Sequence, residues 1–152
     1  MRTKSMRSAT RRSETRVRVQ DASRSRTTPA PARLRKWVRA SASGPAEVTV
    51  RLVGAAEGRR LNLAYRGKDY ATNVLTFAYE PGLGDIVLCP SVIAREALGQ
   101  GKSLEAHYAH LTVHAMLHLR GYDHERSGDA SRMERAEIRI LRGLGHPNPY
   151  LA

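Results

Sequence analysis

Apolar and polar positions change period along the chain, and the changes mark out its elements. Leu34, Trp37 and Val38 share one stripe at helical spacing, so Ala32–Ala42 reads as a short amphipathic helix that Gly44-Pro45 breaks. Residues Glu47–Val53 alternate polar and apolar, the pattern of a half-buried strand. A helix follows over Ala55–Tyr65, closed by Gly67. Asn73–Tyr79 is rich in β-formers, Pro81–Gly84 reads as a turn, and Asp85–Cys89 is another strand, so a hairpin is expected. Pro90 opens a helix that runs to about Gly99. Ser103 caps the next, which has Glu105 in its first turn and runs to about Leu119, where Gly121 supplies a left-handed end. A polar loop, Tyr122–Asp129, precedes a last helix over Ala130–Leu144, stopped by Gly145 and Pro147.

The order α-β-α-β-β-α-α-α contains no repeat. It predicts a single small α+β domain, a mixed sheet of about four strands packed with about five helices.

Composition narrows this picture. A chain of 152 residues with 41% hydrophobic content suits one soluble domain with a modest core. No run reaches the ~18 apolar residues of a membrane span, and the N-terminus lacks the apolar core of a signal peptide. Cys89 is the only cysteine, which rules out an internal disulfide. A cytoplasmic protein without a membrane partner is expected. The charge of +12 is unevenly spread: residues 1–33 hold ten cations against Glu14 and Asp21, so two thirds of the excess lies there. Residues 1–31, rich in Arg, Ser and Thr and ending in Pro29-Ala30-Pro31, read as a basic, disordered leader. A nucleic-acid-binding arm, a transit peptide or an over-long start would share that composition. The folded domain is placed at 32–152.

The chemistry concentrates in His114-Ala-Met-Leu-His118-Leu-Arg-Gly121-Tyr-Asp-His124. At about 100° per residue, His114 and His118 lie one turn apart on one helix face, near the end of a central helix. Gly121 lets the chain turn back and bring His124 to the same ion. Three protein ligands leave a fourth position for water, as a catalytic zinc needs, so one Zn²⁺ per chain is expected. His107 projects to the same side, two or more turns away, and reads as lining the cleft or bonding structurally. His146 reads as a surface residue. Asp123 and Glu125 flank His124, either to orient an imidazole or as solvated charges. The spacing also matches the long zinc-protease motif, except that Ala115 stands where the general-base glutamate belongs.

With these residues in view, the chain resembles the YbeY family of bacterial endoribonucleases and ribosomal RNA maturation factors. The resemblance covers about residues 32–150. It rests on Leu61–Asp69 through Thr72–Phe77, on Gly84-Asp85-Ile86 and on the histidine block through His124. Ala115 and Thr76 depart from the commoner Gly and Ser. The resemblance implies three zinc ligands, His114, His118 and His124, and a functional arginine, Arg66. It also implies a zinc-dependent, single-strand-preferring endoribonuclease that matures the 3′ end of small-subunit ribosomal RNA and serves ribosome quality control. Ribosomal RNA and the small ribosomal subunit with its proteins are then the expected partners. Arg66 and His114 are the expected catalytic residues, and Arg66 with Lys68 would bind phosphate, Arg as a fork and Lys as a point charge. Tyr65 and Tyr70 are expected to bury against the sheet rather than stack on bases. An RNA-binding assembly factor with a structural zinc is the alternative, and a metallopeptidase is disfavoured by Ala115.

Overall fold

The computed structural model describes residues 14–122 and 127–151. Strands β1 (Arg16–Asp21), β2 (Glu47–Leu52), β3 (Val74–Glu80) and β4 (Leu83–Leu88) form one sheet in the order β1-β2-β4-β3. β1 and β4 both run parallel to β2, and β3 closes antiparallel on β4. Helices α1 (Pro31–Ser41), α2 (Ala55–Arg66), α3 (Pro90–Gln100), α4 (Leu104–Leu119) and α5 (Ser127–Gly143) complete the described fold. The expected mixed α+β architecture is what the chain adopts.

One expectation is corrected. The basic leader was placed at 1–31, yet Arg16–Asp21 pairs with Glu47–Leu52 along its whole length. Val17 is buried in the core, while Arg16 and Arg18 face outward. The ordered sheet therefore begins well upstream of residue 32, and β1-α1-β2 is a parallel crossover unit. Residues 1–13 lie outside the described residues. Two boundaries also move: β4 starts at Leu83, inside the expected turn, and α5 starts at Ser127 rather than Ala130.

Each face of the sheet carries its own core, because alternate residues point to opposite sides. Val48, Val50, Leu52, Ile86 and Leu88 meet Leu34, Trp37 and Val38 of α1, the apolar length of α4, and Met133, Ala136 and Leu141 of α5. On the other face Leu75, Val87 and Cys89 form a smaller cluster with Leu61 of α2 and Phe77. Helix α4 is apolar nearly all round because the sheet, α1, α3 and α5 surround it. It is the central helix, and its remaining polar face carries the histidines.

Its ends are fixed locally. The Ser103 hydroxyl accepts the Ala106 N–H at 3.1 Å, capping the N-terminus. At the C-terminus Gly121 takes φ +92°, and the N–H groups of Gly121 and Tyr122 return to the carbonyls of His118 and Leu117, both at 3.0 Å. The left-handed end expected at Gly121 is present. Gly84 of β4 lets this end of α4 approach the sheet: a Cβ there would meet Leu119 Cδ2 at 2.7 Å and the Phe77 carbonyl oxygen at 2.9 Å.

Candidate metal centre

Four imidazoles run along one face of α4. Successive ring centroids of His107, His110, His114 and His118 are 6.3, 6.2 and 4.6 Å apart. His107 is buried, and its Nε2 lies 3.0 Å from Glu96 Oε1 of α3. Glu96 also accepts the Asn73 side-chain N–H at 2.9 Å. His107 thus has the structural hydrogen bond that was one of its two expected roles, and it ties the start of β3 to the histidine face. His146 is not simply a surface residue: its ring packs edge-on to buried Trp37, with centroids 6.2 Å apart.

The closest pair is His114 and His118, whose Nε2 atoms face each other at 3.1 Å. Two nitrogens held by one zinc at the tetrahedral angle, each about 2.0–2.1 Å from the ion, are about 3.3–3.4 Å apart. The pair therefore needs almost no adjustment to act as a chelate. His124 lies outside the described residues, as do Asp123 and Glu125. Among the described residues no third His, Cys, Asp or Glu joins the pair in a metal-binding group.

Behind His114 stands a residue that the sequence reading missed. Glu137 of α5 is fully buried, and its Oε2 lies 3.0 Å from His114 Nδ1. Its Oε1 lies 3.5 Å from His110 Nε2, and the Tyr150 hydroxyl donates to the same carboxylate. Burial pushes the Glu137 carboxyl up, but bonds from His110, His114 and Tyr150 outweigh it and hold the group at about 2. Burial, then the Glu137 carboxylate, raise the Tyr150 phenol, so it stays a donor. A carboxylate behind a metal-binding imidazole keeps the proton on the far nitrogen and leaves the near one free to ligate. The donor set, two facing Nε2 lone-pair positions with a buried carboxylate behind one ring, fits zinc.

The expected phosphate ligands sit elsewhere. Arg66 ends α2, on the opposite face of the sheet from α4, and Lys68 follows it past Gly67 at φ +70°. Both are exposed and have no carboxylate partner among the described residues. Neither is within hydrogen-bonding reach of the histidine pair. Their loop is nonetheless held firmly: the buried Asn62 amide donates to the Tyr70 carbonyl at 2.7 Å, and Arg59 clamps Asp69 with two bonds of 2.6 and 3.0 Å. Tyr65 and Tyr70 correct a second expectation. Both are exposed, at 68% and 56%, and Tyr65 stands edge-on to Phe77 at 4.8 Å. Among the described residues β3 is an edge strand, with no further strand beyond it. Beside the C-terminal end of α4, a groove of about 630 Å³ is lined by Met116, Leu119, Arg120 and Tyr79, within the size range of small-ligand sites.

Comparison with known proteins gives this arrangement its family. The family model described as "Endoribonuclease YbeY" matches residues 15–145. The Endoribonuclease YbeY of Aromatoleum aromaticum is 62% identical over 125 residues, covering 80% of this chain and 81% of that protein. That of Nitrosomonas europaea is 58% identical over 120 residues, covering 77% and 73%. The solution structure of TM1509 from Thermotoga maritima superposes with a TM-score of 0.58 at 24% identity, covering 90% of this chain and 99% of that one, and shows the fold alone. The chain belongs to the YbeY endoribonuclease family, which gives it a nuclease's activity on RNA. No helix among the described residues is long and apolar enough to cross a membrane.

Proposed function

We propose that the protein is a zinc-dependent endoribonuclease that prefers single strands, matures the 3′ end of small-subunit ribosomal RNA in the cytoplasm and serves ribosome quality control. On this reading it works with the small ribosomal subunit and its proteins. The observation that carries the zinc reading is the pair of facing Nε2 atoms with the buried Glu137 behind one of them. On this reading His114, His118 and His124 would hold one Zn²⁺. Zinc held there supplies Lewis-acid chemistry towards a phosphodiester.

The chain's own groups bind and orient the RNA. Arg66 forks onto a backbone phosphate from the C-terminal end of α2, and Lys68, in the loop after it, adds a charge next to it. Exposed Tyr65 and Tyr70 offer rings on which unpaired bases stack, a contact that a paired duplex denies. The peptidase alternative is weakened because Ala115 is fully buried in the apolar core, where a catalytic carboxylate would be desolvated.

His114→Ala is expected to lose zinc retention and cleavage of a defined single-stranded RNA together. Cleavage at the wild-type rate in a His114→Ala protein that holds no zinc would refute the proposal. The product ends divide two routes: a 2′,3′-cyclic phosphate marks attack by the RNA's own 2′-OH and excludes attack by water.

A further inference from the structure

We infer that Glu137 and Tyr150 are a positioning pair that fixes the ring orientation and tautomer of His114, making the C-terminal tail part of the metal centre. The inference rests on the zinc reading above and goes beyond its ligands.

A charged group stands among the core residues of α5. On α5 the buried stripe is Met133, Ala136, Glu137 and Leu141, so a carboxylate occupies a core position. Burying it is costly unless its lone pairs are used. Glu137 uses them on three donors from two segments. His114 Nδ1 of α4 lies 3.0 Å from Oε2, and His110 Nε2 of the same helix lies 3.5 Å from Oε1. The Tyr150 hydroxyl, from the tail after α5, donates to Oε1 and lies 3.2 Å from Oε2.

A carboxylate only accepts, so the His114 nitrogen facing it must carry the hydrogen. That choice leaves Nε2 with its lone pair, and Nε2 is the atom that faces His118 at 3.1 Å. Tyr150 holds the carboxylate from its other side. The tail that carries it is itself fastened. Lys102 Nζ donates to the Pro149 carbonyl at 2.8 Å, and Tyr150 N donates to Asn148 Oδ1 at 2.9 Å. The Tyr150 ring stands edge-on to His110, with centroids 5.5 Å apart. Tyr150 lies beyond the 15–145 stretch that the family model matches.

Were Glu137 only a bolt between α4 and α5, its loss would lower stability and leave the His114 tautomer alone. The test uses the full chain with three readouts: thermal unfolding of metal-free protein, ¹⁵N shifts of His114 in that protein, and Zn²⁺ affinity by competition with a chromogenic chelator. Glu137→Gln keeps the shape but can donate as well as accept, so the tautomer is no longer imposed. It is expected to mix the two His114 tautomers and weaken zinc binding about 10- to 100-fold. Tyr150→Phe removes one neutral hydrogen bond and is expected to weaken zinc about 2- to 10-fold. Glu137→Gln that unfolds transfers the decision to Tyr150→Phe, which loses only a hydroxyl at a half-exposed position. Wild-type tautomer and zinc affinity within twofold in the folded variants would overturn the inference. Wild-type protein that takes up no zinc would instead sink the metal reading, while the tautomer comparison would still decide whether Glu137 sets the ring.

Discussion

Two imidazole nitrogens 3.1 Å apart cannot both direct bare lone pairs at each other; a proton or a cation must lie between them. His118 and His114 meet in this way because they are four residues apart on a helix whose other faces are buried. That spacing was legible in the sequence. Glu137 was not, because its partner is set by how α5 docks on α4, although a glutamate inside an apolar helical stripe was a signal to pursue. Tyr65 and Tyr70 were misjudged because sequence does not say that β3 is an edge strand. Since His118 is only half-buried, His118→Ala should release zinc yet shift the unfolding midpoint of metal-free protein by little, as a surface substitution does. Metal content and thermal unfolding check this together. On the proposed role of Arg66 as a phosphate fork, Arg66→Ala should weaken single-stranded RNA binding about tenfold, on the order of one charge-assisted hydrogen bond. Arg66→Lys should recover part of that loss, and zinc content should stay at the wild-type level in both. RNA titration beside metal analysis reads each outcome.

At the scale of elements, the boundaries were readable wherever a local rule decides them. Ser103 caps α4, Pro90 opens α3, and Gly121 takes the left-handed turn. The β3–β4 hairpin was also legible, from its turn residues. Gly84 was legible only as part of a motif; its reason is tertiary. A methyl group there would press on Leu119 and on the Phe77 carbonyl, both too close to keep their places. Gly84→Ala should therefore destabilise the fold by about 1–3 kcal/mol, the usual effect of overpacking, and displace the end of α4 that carries His118. Urea unfolding of the metal-free protein measures the first effect, and weakened zinc affinity the second. A variant as stable as wild type would show that α4 can retreat without cost.

For the whole molecule, the part least legible was the start of the sheet. Arg16-Val-Arg-Val-Gln-Asp21 does alternate, but its cations made it resemble the basic stretch before it. Charged outward positions are how an edge strand avoids pairing with other chains, so the feature that hid β1 is also its function there. Parallel pairing with β2 adds a further obstacle, because the partner lies beyond a helix and no local turn announces it. Removing residues 1–21 would uncover the edge of β2 and take Val17 from the core. That truncation is expected to lower the unfolding midpoint and to produce concentration-dependent association, which size-exclusion chromatography would detect. A truncated chain that stays monomeric and melts like wild type would show that β1 is dispensable.

The proposal that zinc bound by the histidines is required for RNA cleavage joins all three scales. It is tested most directly by stripping the 152-residue protein of metal and titrating Zn²⁺ back while following cleavage of one defined single-stranded RNA. The account predicts no cleavage at the start and a rate that rises with added zinc and levels off at one ion per chain. Full cleavage by the metal-free protein, or a rate indifferent to zinc that is bound, would contradict it.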